Sequence, residues 1–343
     1  MKKWFWLVLL IFVALGVVGV KTFFVKTPAS VIDTIKVDDS LPIVPNPAKT
    51  DDTLRVSADR LFSHIQKLDF ERYSDGERSR TRNYITNELK KNGWKPQLQR
   101  FSEGVNVFAQ RQGTNKAAGA ILVAAHYDTV MRSPGADDNG SGVSVALELA
   151  RIFASHPTPR TLQLAFFDKE EAGLLGSRAF VAKSGKLQGL EGAIVMDMVG
   201  YACYTEGCQK YPAALPVTPP NKLGNFLVVI GDTEHLPLLN AFSHPVDTDT
   251  YLPSVLPLPI PMKGLLAPDT LRSDHAPFWY QGIGAVLVTD TANLRTPHYH
   301  QPSDKPASID RKFFTGAAQI IVNTTQDLLE NTTSLNTSDI QQF

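Results

Sequence analysis

Five short runs of this chain, Ala120–Ala125, Leu162–Phe167, Ala193–Met196, Phe226–Ile230 and Ala285–Thr289, are apolar almost without interruption. A strand with one wet face alternates apolar and polar side chains, so runs without alternation fit strands covered on both faces. Helical spacing of apolar residues recurs between and around them: at Ala58–Leu68, Arg78–Lys91, Ser141–Ser155, Leu174–Lys183, Leu236–Ser243 and from about Arg311 to Leu329. The alternation predicts an α/β fold, a three-layer α/β/α sandwich with a mostly parallel central sheet. Asn106–Gln112 reads as a further, half-buried strand. Two stretches, Tyr211–Pro220 and Pro253–Pro268, hold nine of the 23 prolines. Proline cannot donate to a sheet ladder, so both are expected as loops, either walling a site or simply crossing the surface.

The amino terminus follows another rule. From Trp4 to Val20 no residue is charged, and the apolar run resumes at Phe23–Val25. Twenty-two helical residues cover about 33 Å, enough for one membrane span and longer than the apolar stretch of a cleaved signal peptide. One transmembrane helix, an anchor over residues 1–26, is therefore expected, with removal as a signal peptide as the alternative. Lys2 and Lys3 mark the cytoplasmic flank, which places the main domain outside, periplasmic or extracellular, or secreted if the segment is cleaved. Residues 27–52, rich in proline and aspartate, read as a flexible linker, residues 53–335 as one domain and 336–343 as a tail. In an exported domain the only two cysteines, Cys203 and Cys208, suit a small disulfide loop. With 34 basic against 34 acidic residues, the chain lacks the positive footprint of a nucleic-acid binder.

The chemistry gathers where open α/β sheets place their ligands, beyond the carboxyl ends of strands. Ala120–Ala125 runs into His126-Tyr127-Asp128, Leu162–Phe167 into Asp168-Lys169-Glu170-Glu171, and Ala193–Met196 into Asp197. The turn Gly135-Ala136-Asp137-Asp138-Asn139-Gly140-Ser141-Gly142 follows the first of these strands, and Pro297-His298-Tyr299-His300 follows the last. Imidazoles and carboxylates are common zinc ligands, and this set is large enough for two ions.

These segments, together with Glu170-Glu171-Ala172-Gly173-Leu174-Leu175-Gly176-Ser177, Asp197-Met198, Ser273-Asp274-His275-Ala276-Pro277-Phe278 and Tyr299-His300-x-x-x-Asp304, resemble the dizinc aminopeptidases in residues, order and spacing. The resemblance runs from about Asp59 to Leu329. It implies that Asp138 bridges two zinc ions, with His126 and Asp197 completing one site and Glu171 and His300 the other. It further implies Glu170 as the general base, taking a proton from a metal-bridging water and delivering it to the leaving amine. Asp128 would support His126 by accepting a hydrogen bond from its ring. Substrates would be peptides with a free amino terminus. Glutaminyl cyclases and carboxypeptidases of similar fold are the rival enzymes, and a non-catalytic binding protein on the same fold is the rival of another class. Oligomeric state and side-chain preference stay open.

Other residues attract plainer expectations. His64, His156, His235 and His244 fall outside the motifs and read as structural; His298 is the nearest competitor of His300. Asp137 is expected to brace its turn, and Asp274 and His275 to organise the pocket. Tyr201 and Tyr204 either face an oxyanion or pack against the cysteine loop.

Overall fold

The centre of the molecule is a strand with no wet face. In the computed structural model, which describes residues 54–212, 222–243 and 251–337, every residue of β3 (Ala120–His126) is buried. Its alternate residues feed two different cores. Ile121, Val123 and Ala125 join one cluster, while Ala120, Leu122 and Ala124 join the other. The strands β4 (Thr161–Phe167), β5 (Leu190–Met196) and β8 (Ala285–Thr289) divide in the same way.

The first core is closed by α1 (Ala58–Lys67), α2 (Asp75–Lys91), α3 (Gly140–Ile152), α6 (Leu236–Asn240) and α8 (Arg311–Glu330). The second is closed by Phe180 and Val181 of α4 (Leu175–Val181) and by Phe278 and Trp279 of α7 (Ala276–Tyr280), with the one-turn α5 (Ser184–Leu187) beside α4. The result is a three-layer α/β fold.

The sheet has eight strands in the order β1-β2-β4-β3-β5-β8-β6-β7, with β1 at Gln97–Arg100, β2 at Val105–Arg111, β6 at Phe226–Asp232 and β7 at Ser254–Ile260. It is mixed rather than mostly parallel. β4, β3, β5 and β8 are parallel neighbours, whereas β2 runs against β4, β1 against β2, and β6 against β8. The part of the expectation that fails is the outer part, where the chain reverses.

β7 corrects a second expectation, because part of Pro253–Pro268 is a strand. It pairs with β6 in parallel, Val229 opposite Pro257 and Gly231 opposite Pro259, and it lies at the sheet edge. Two prolines in alternate positions put both missing N–H groups on the same side. At an edge that side has no ladder to break.

Helix starts are set by side chains that meet the unpaired amides of the first turn. Ser74 and Glu77 form a reciprocal capping box that begins α2 at Asp75, three residues ahead of the first residue read from apolar spacing. Asn139 Oδ1 accepts from Gly142 N to start α3, and Asp310 from Phe313 N to start α8.

The expected anchor (1–26) and linker (27–52), residues 213–220, His244 and residues 338–343 lie outside the described residues. Among the described residues no helix is long and apolar enough to cross a membrane. Cys203 and Cys208 are joined as a disulfide.

Candidate functional site

Three neighbouring parallel strands deliver the site. The chain leaves β3 for β4 on one side and returns to β5 on the other, so a crevice opens above the carboxyl end of β3, where strand order reverses. His126 ends β3, Glu170 and Glu171 follow β4, and Asp197 follows β5. The structure brings these four together with Asp138 and His300. His126 Nε2 lies 3.4 Å from Asp138 Oδ1 and 3.5 Å from Asp197 Oδ1, with Glu170 Oε2 set back at 4.0 Å. His300 Nε2 lies 3.3 Å from Asp138 Oδ2 and 3.1 Å from Glu171 Oε2. Asp138 therefore offers one oxygen to each imidazole.

Each of these groups is held from behind. The carboxylate of Asp304 accepts from the main-chain amides of Asp137 and Asp138, at 2.9 and 3.0 Å, and fixes the turn that carries Asp138. Asn139 donates to Met196 O at 2.8 Å and ties that turn to the end of β5, next to Asp197. Asp137 Oδ1 accepts from Gly200 N at 2.8 Å, a bracing role. Beneath the turn, the buried guanidinium of Arg72 donates to the carbonyls of Leu68, Phe70, Tyr127, Pro134 and Gly135. Gly135 has φ of 60°, and a Cβ there would fall 2.1 Å from Asp138 O, so only glycine fits. Lys169, Met198 and His300 also have positive φ, at 63°, 55° and 58°. Non-glycine residues in this region are sustained only where their surroundings over-determine them, and these three lie at or beside the cluster.

Asp128 lies beside His126, as expected, and also has a second task. Its Oδ1 stands 3.6 Å from His126 Nδ1, beyond a hydrogen bond, while its main-chain carbonyl is nearer that nitrogen at 3.3 Å. The two carboxylate oxygens instead accept from Glu170 N and Glu171 N, at 3.0 and 3.2 Å. Asp128 thus positions both glutamates through their backbone.

The electrostatics describe a surplus of negative charge. Burial, and then the charges of Asp197, Asp274 and Glu171, push the Glu170 carboxyl well above its ordinary range, with His126 opposing. Burial and then Asp138 push Glu171 up to about 7. For Asp138 burial acts upward too, but the hydrogen bonds from His126 and His300 outweigh it and hold the group below the usual carboxylate range. Burial disfavours a charged His300, yet Asp138 and Glu171 raise it to about 10. Four carboxylates face two imidazoles, and Glu171 Oε1 is buried without a hydrogen-bond partner. One atom from each of His126, Glu170 and Asp197 lie within 4.8 Å of one another, as do atoms from Asp138, Glu171 and His300. Such imidazole and carboxylate donors fit divalent cations, and Asp138 faces both imidazoles.

The cluster floors one end of a cavity of about 530 Å³. Its apolar wall comes from β6, β7 and β8 through Val228, Ile230, Leu256, Leu258 and Leu287, so the proline-rich edge strand does border the site. Tyr299 also lines it, with its ring stacked on His300 at 3.7 Å between centroids. Neither Tyr201 nor Tyr204 is among the lining residues; the Tyr201 ring packs against His298, whose Nδ1 lies 2.9 Å from Ser303 Oγ, and Tyr204 is exposed. Asp274 is fully buried and pushed up to about 7 by that burial. His275 meets Thr270 O through Nε2 at 2.7 Å, sets its ring edge-on to Trp279, and is pushed down to about 4 by burial.

Sequence reasoning gave Arg72 no role, and no local signal marks it, since its function is to reach carbonyls far away in the chain. Asp304 stood in a quoted motif, but its grip on two amides was not readable. Asp290, which accepts from Tyr201 N and Ala292 N, was likewise missed.

Residues 106–219 match the sequence pattern of peptidase family M28. The uncharacterized protein YfbL of Escherichia coli (strain K12) is 31% identical over 218 residues, which are 59% of this chain and 64% of that protein. The aminopeptidase YwaD of Bacillus subtilis (strain 168) is 36% identical over 135 residues, 35% of this chain and 30% of that protein. The matched region is thus under two thirds of either relative's length. Among solved structures, a zinc aminopeptidase from Bacillus subtilis superposes with a TM-score of 0.63 at 17% identity, covering 81% of this chain and 96% of its own. That likeness is one of fold.

Proposed function

We propose, for a chain whose residues 106–219 match peptidase family M28, a dizinc aminopeptidase that hydrolyses the amino-terminal peptide bond of its substrate. One observation carries the reading: Asp138 turns one carboxylate oxygen to each imidazole, Oδ1 at 3.4 Å from His126 and Oδ2 at 3.3 Å from His300, while Glu170 stands farther from His126 at 4.0 Å. His126, Asp138 and Asp197 would hold one zinc, Asp138, Glu171 and His300 the other. Bound zinc would polarise the scissile carbonyl and lower the pKa of a water to about 7.

The chain's own residues do the rest. Glu170 is buried and stands farther from His126 than Asp138 or Asp197 does, beside the assigned zinc ligands and not among them. That suits a group that must take a proton from the attacking water and pass it to the leaving amine. Asp128 keeps Glu170 in place through its amide. A free substrate amine would be received beside the metals and the carboxylates of the crevice, which would favour chain ends over interior bonds.

The apolar run Trp4–Val20 supports a membrane-anchored enzyme with its catalytic domain exported. A disulfide between Cys203 and Cys208 agrees with an oxidising compartment.

The test compares a leucyl peptide bearing a free amine with its N-acetylated twin, for zinc-loaded protein and for Glu170→Gln. Cleavage of the free-amine peptide alone, with the variant keeping zinc but losing at least about 100-fold in turnover, is the expected result. Cleavage of neither peptide by zinc-replete protein would hand the function to a cyclase or a binding protein.

A further inference from the structure

Outside the acidic cluster, the charged residues that line the cavity are Lys210, Asp269 and Arg272. Arg272 is exposed, and its bonded partners are both neutral: Nη1 lies 3.4 Å from Asn293 Oδ1 and Nη2 3.2 Å from Tyr299 Oη. Among the described residues neither Arg272 nor Lys210 enters an ion pair, although Asp269 is three residues from Arg272 in the chain. Both residues border one turn, Ala292–Leu294: Lys210 through its main-chain N, which donates to Leu294 O, and Arg272 through its guanidinium, which reaches Asn293. Tyr299 spans the remaining distance, its ring stacked on His300 and its hydroxyl against the guanidinium. Arg272 is therefore one tyrosine ring away from the acidic cluster.

A guanidinium presents a planar fork of donors that matches a carboxylate in two parallel bonds. An extended peptide advances about 3.3–3.6 Å per residue, so a carboxylate one or two residues beyond the scissile bond lies about 3–7 Å farther on, the scale of the single tyrosine ring between the cluster and Arg272. Resting on the aminopeptidase reading, we propose that Arg272, with Lys210 lining the same cavity, receives the carboxylate of a short substrate, making di- and tripeptides with a free carboxyl terminus the preferred class. The same chemistry could be met by an acidic side chain on the second residue, and the test separates the two sources.

The full chain, loaded with zinc, is assayed on leucyl-alanine, leucyl-alanine amide, leucyl-aspartate amide and N-acetyl-leucyl-alanine. Leucyl-alanine is expected to exceed its amide in kcat/KM by about tenfold or more, mostly through KM. That ratio should fall to about one in Arg272→Ala and lie between in Arg272→Lys. Arg272 is exposed, so circular dichroism should show both variants folded. If leucyl-aspartate amide matches leucyl-alanine, the side chain of the second residue is the source and the short-peptide preference is overturned. Equal rates on leucyl-alanine and its amide overturn the carboxylate site and leave the aminopeptidase reading intact. Cleavage of the acetylated peptide but not of the amide does the reverse, keeping Arg272 as the receptor and removing the aminopeptidase reading. Calorimetric binding of the acid and amide to zinc-loaded Glu170→Gln gives the same ratio without turnover, and so decides the carboxylate site even for a protein that cuts nothing.

Discussion

Asp128 shows how one side chain can govern a site without standing in it. Both its oxygens are committed to the amides of Glu170 and Glu171, so the two glutamates are aimed together. In Asp128→Asn one of those oxygens becomes an NH2 group, and a donor then faces a buried donor. Outer residues that orient a metal site typically contribute 10–100-fold in affinity or activity, and a loss of about that size is expected here. Zinc titration together with kcat/KM on a free-amine leucyl peptide measures it, with circular dichroism to show that the fold is kept. Wild-type zinc affinity and activity in this variant would remove Asp128 from the positioning role. The sequence made the neighbourhood of His126, Glu170 and Asp197 readable because each follows an apolar strand at its carboxyl end. It did not reveal what Asp128 grips, because a main-chain amide has no letter of its own.

At the scale of elements, the buried strands were legible and the edges were not. Wholly apolar runs such as Ala120–Ala125 can only be central, but the sheet continues outward through β1, where Leu98 is exposed, and β7, which carries prolines. These are sequences that an edge tolerates and a centre does not, so apolar pattern is silent on them. The turn under Asp138 raises the same issue, because it is organised by an arginine more than 60 positions earlier. Arg72 donates to five carbonyls, including those of Pro134 and Gly135. Burial lowers its pKa to about 10, which still leaves it charged at neutral pH. Arg72→Ala would strip several buried carbonyls of their partners at about 1–3 kcal/mol each before relaxation. A fall of at least about 3 kcal/mol in unfolding free energy is expected from urea denaturation, along with weakened zinc binding. A loss below about 1 kcal/mol would show that water or other donors replace the guanidinium.

For the molecule as a whole, the acidic crevice links stability to metal and to pH. Without a cation the folded chain holds Glu171, raised to about 7, beside His300, raised to about 10, so near neutrality the cluster retains protons that zinc must displace. The sign follows directly. Raised pKa values mean a protonated cluster at lower pH, metal binding releases those protons, and apparent zinc affinity therefore climbs as pH increases from 6 to 8. Each proton released steepens the dependence by about tenfold in affinity per pH unit. Zinc at about 100 times its dissociation constant should add roughly 2.7 kcal/mol of stability per site, provided it ignores the unfolded chain. In scanning calorimetry this predicts a Tm that falls on treatment with chelator, returns with zinc, and shifts further with the metal at pH 8 than at pH 6. Glu170→Gln should retain most of the zinc-dependent shift, because Glu170 stands farther from His126 Nε2, at 4.0 Å, than Asp138 and Asp197 do. Asp138→Asn should lose most of it, because one side chain faces both imidazoles. A zinc shift that survives loss of Asp138 but not of Glu170 would reverse the two assignments and place the metal away from the shared carboxylate.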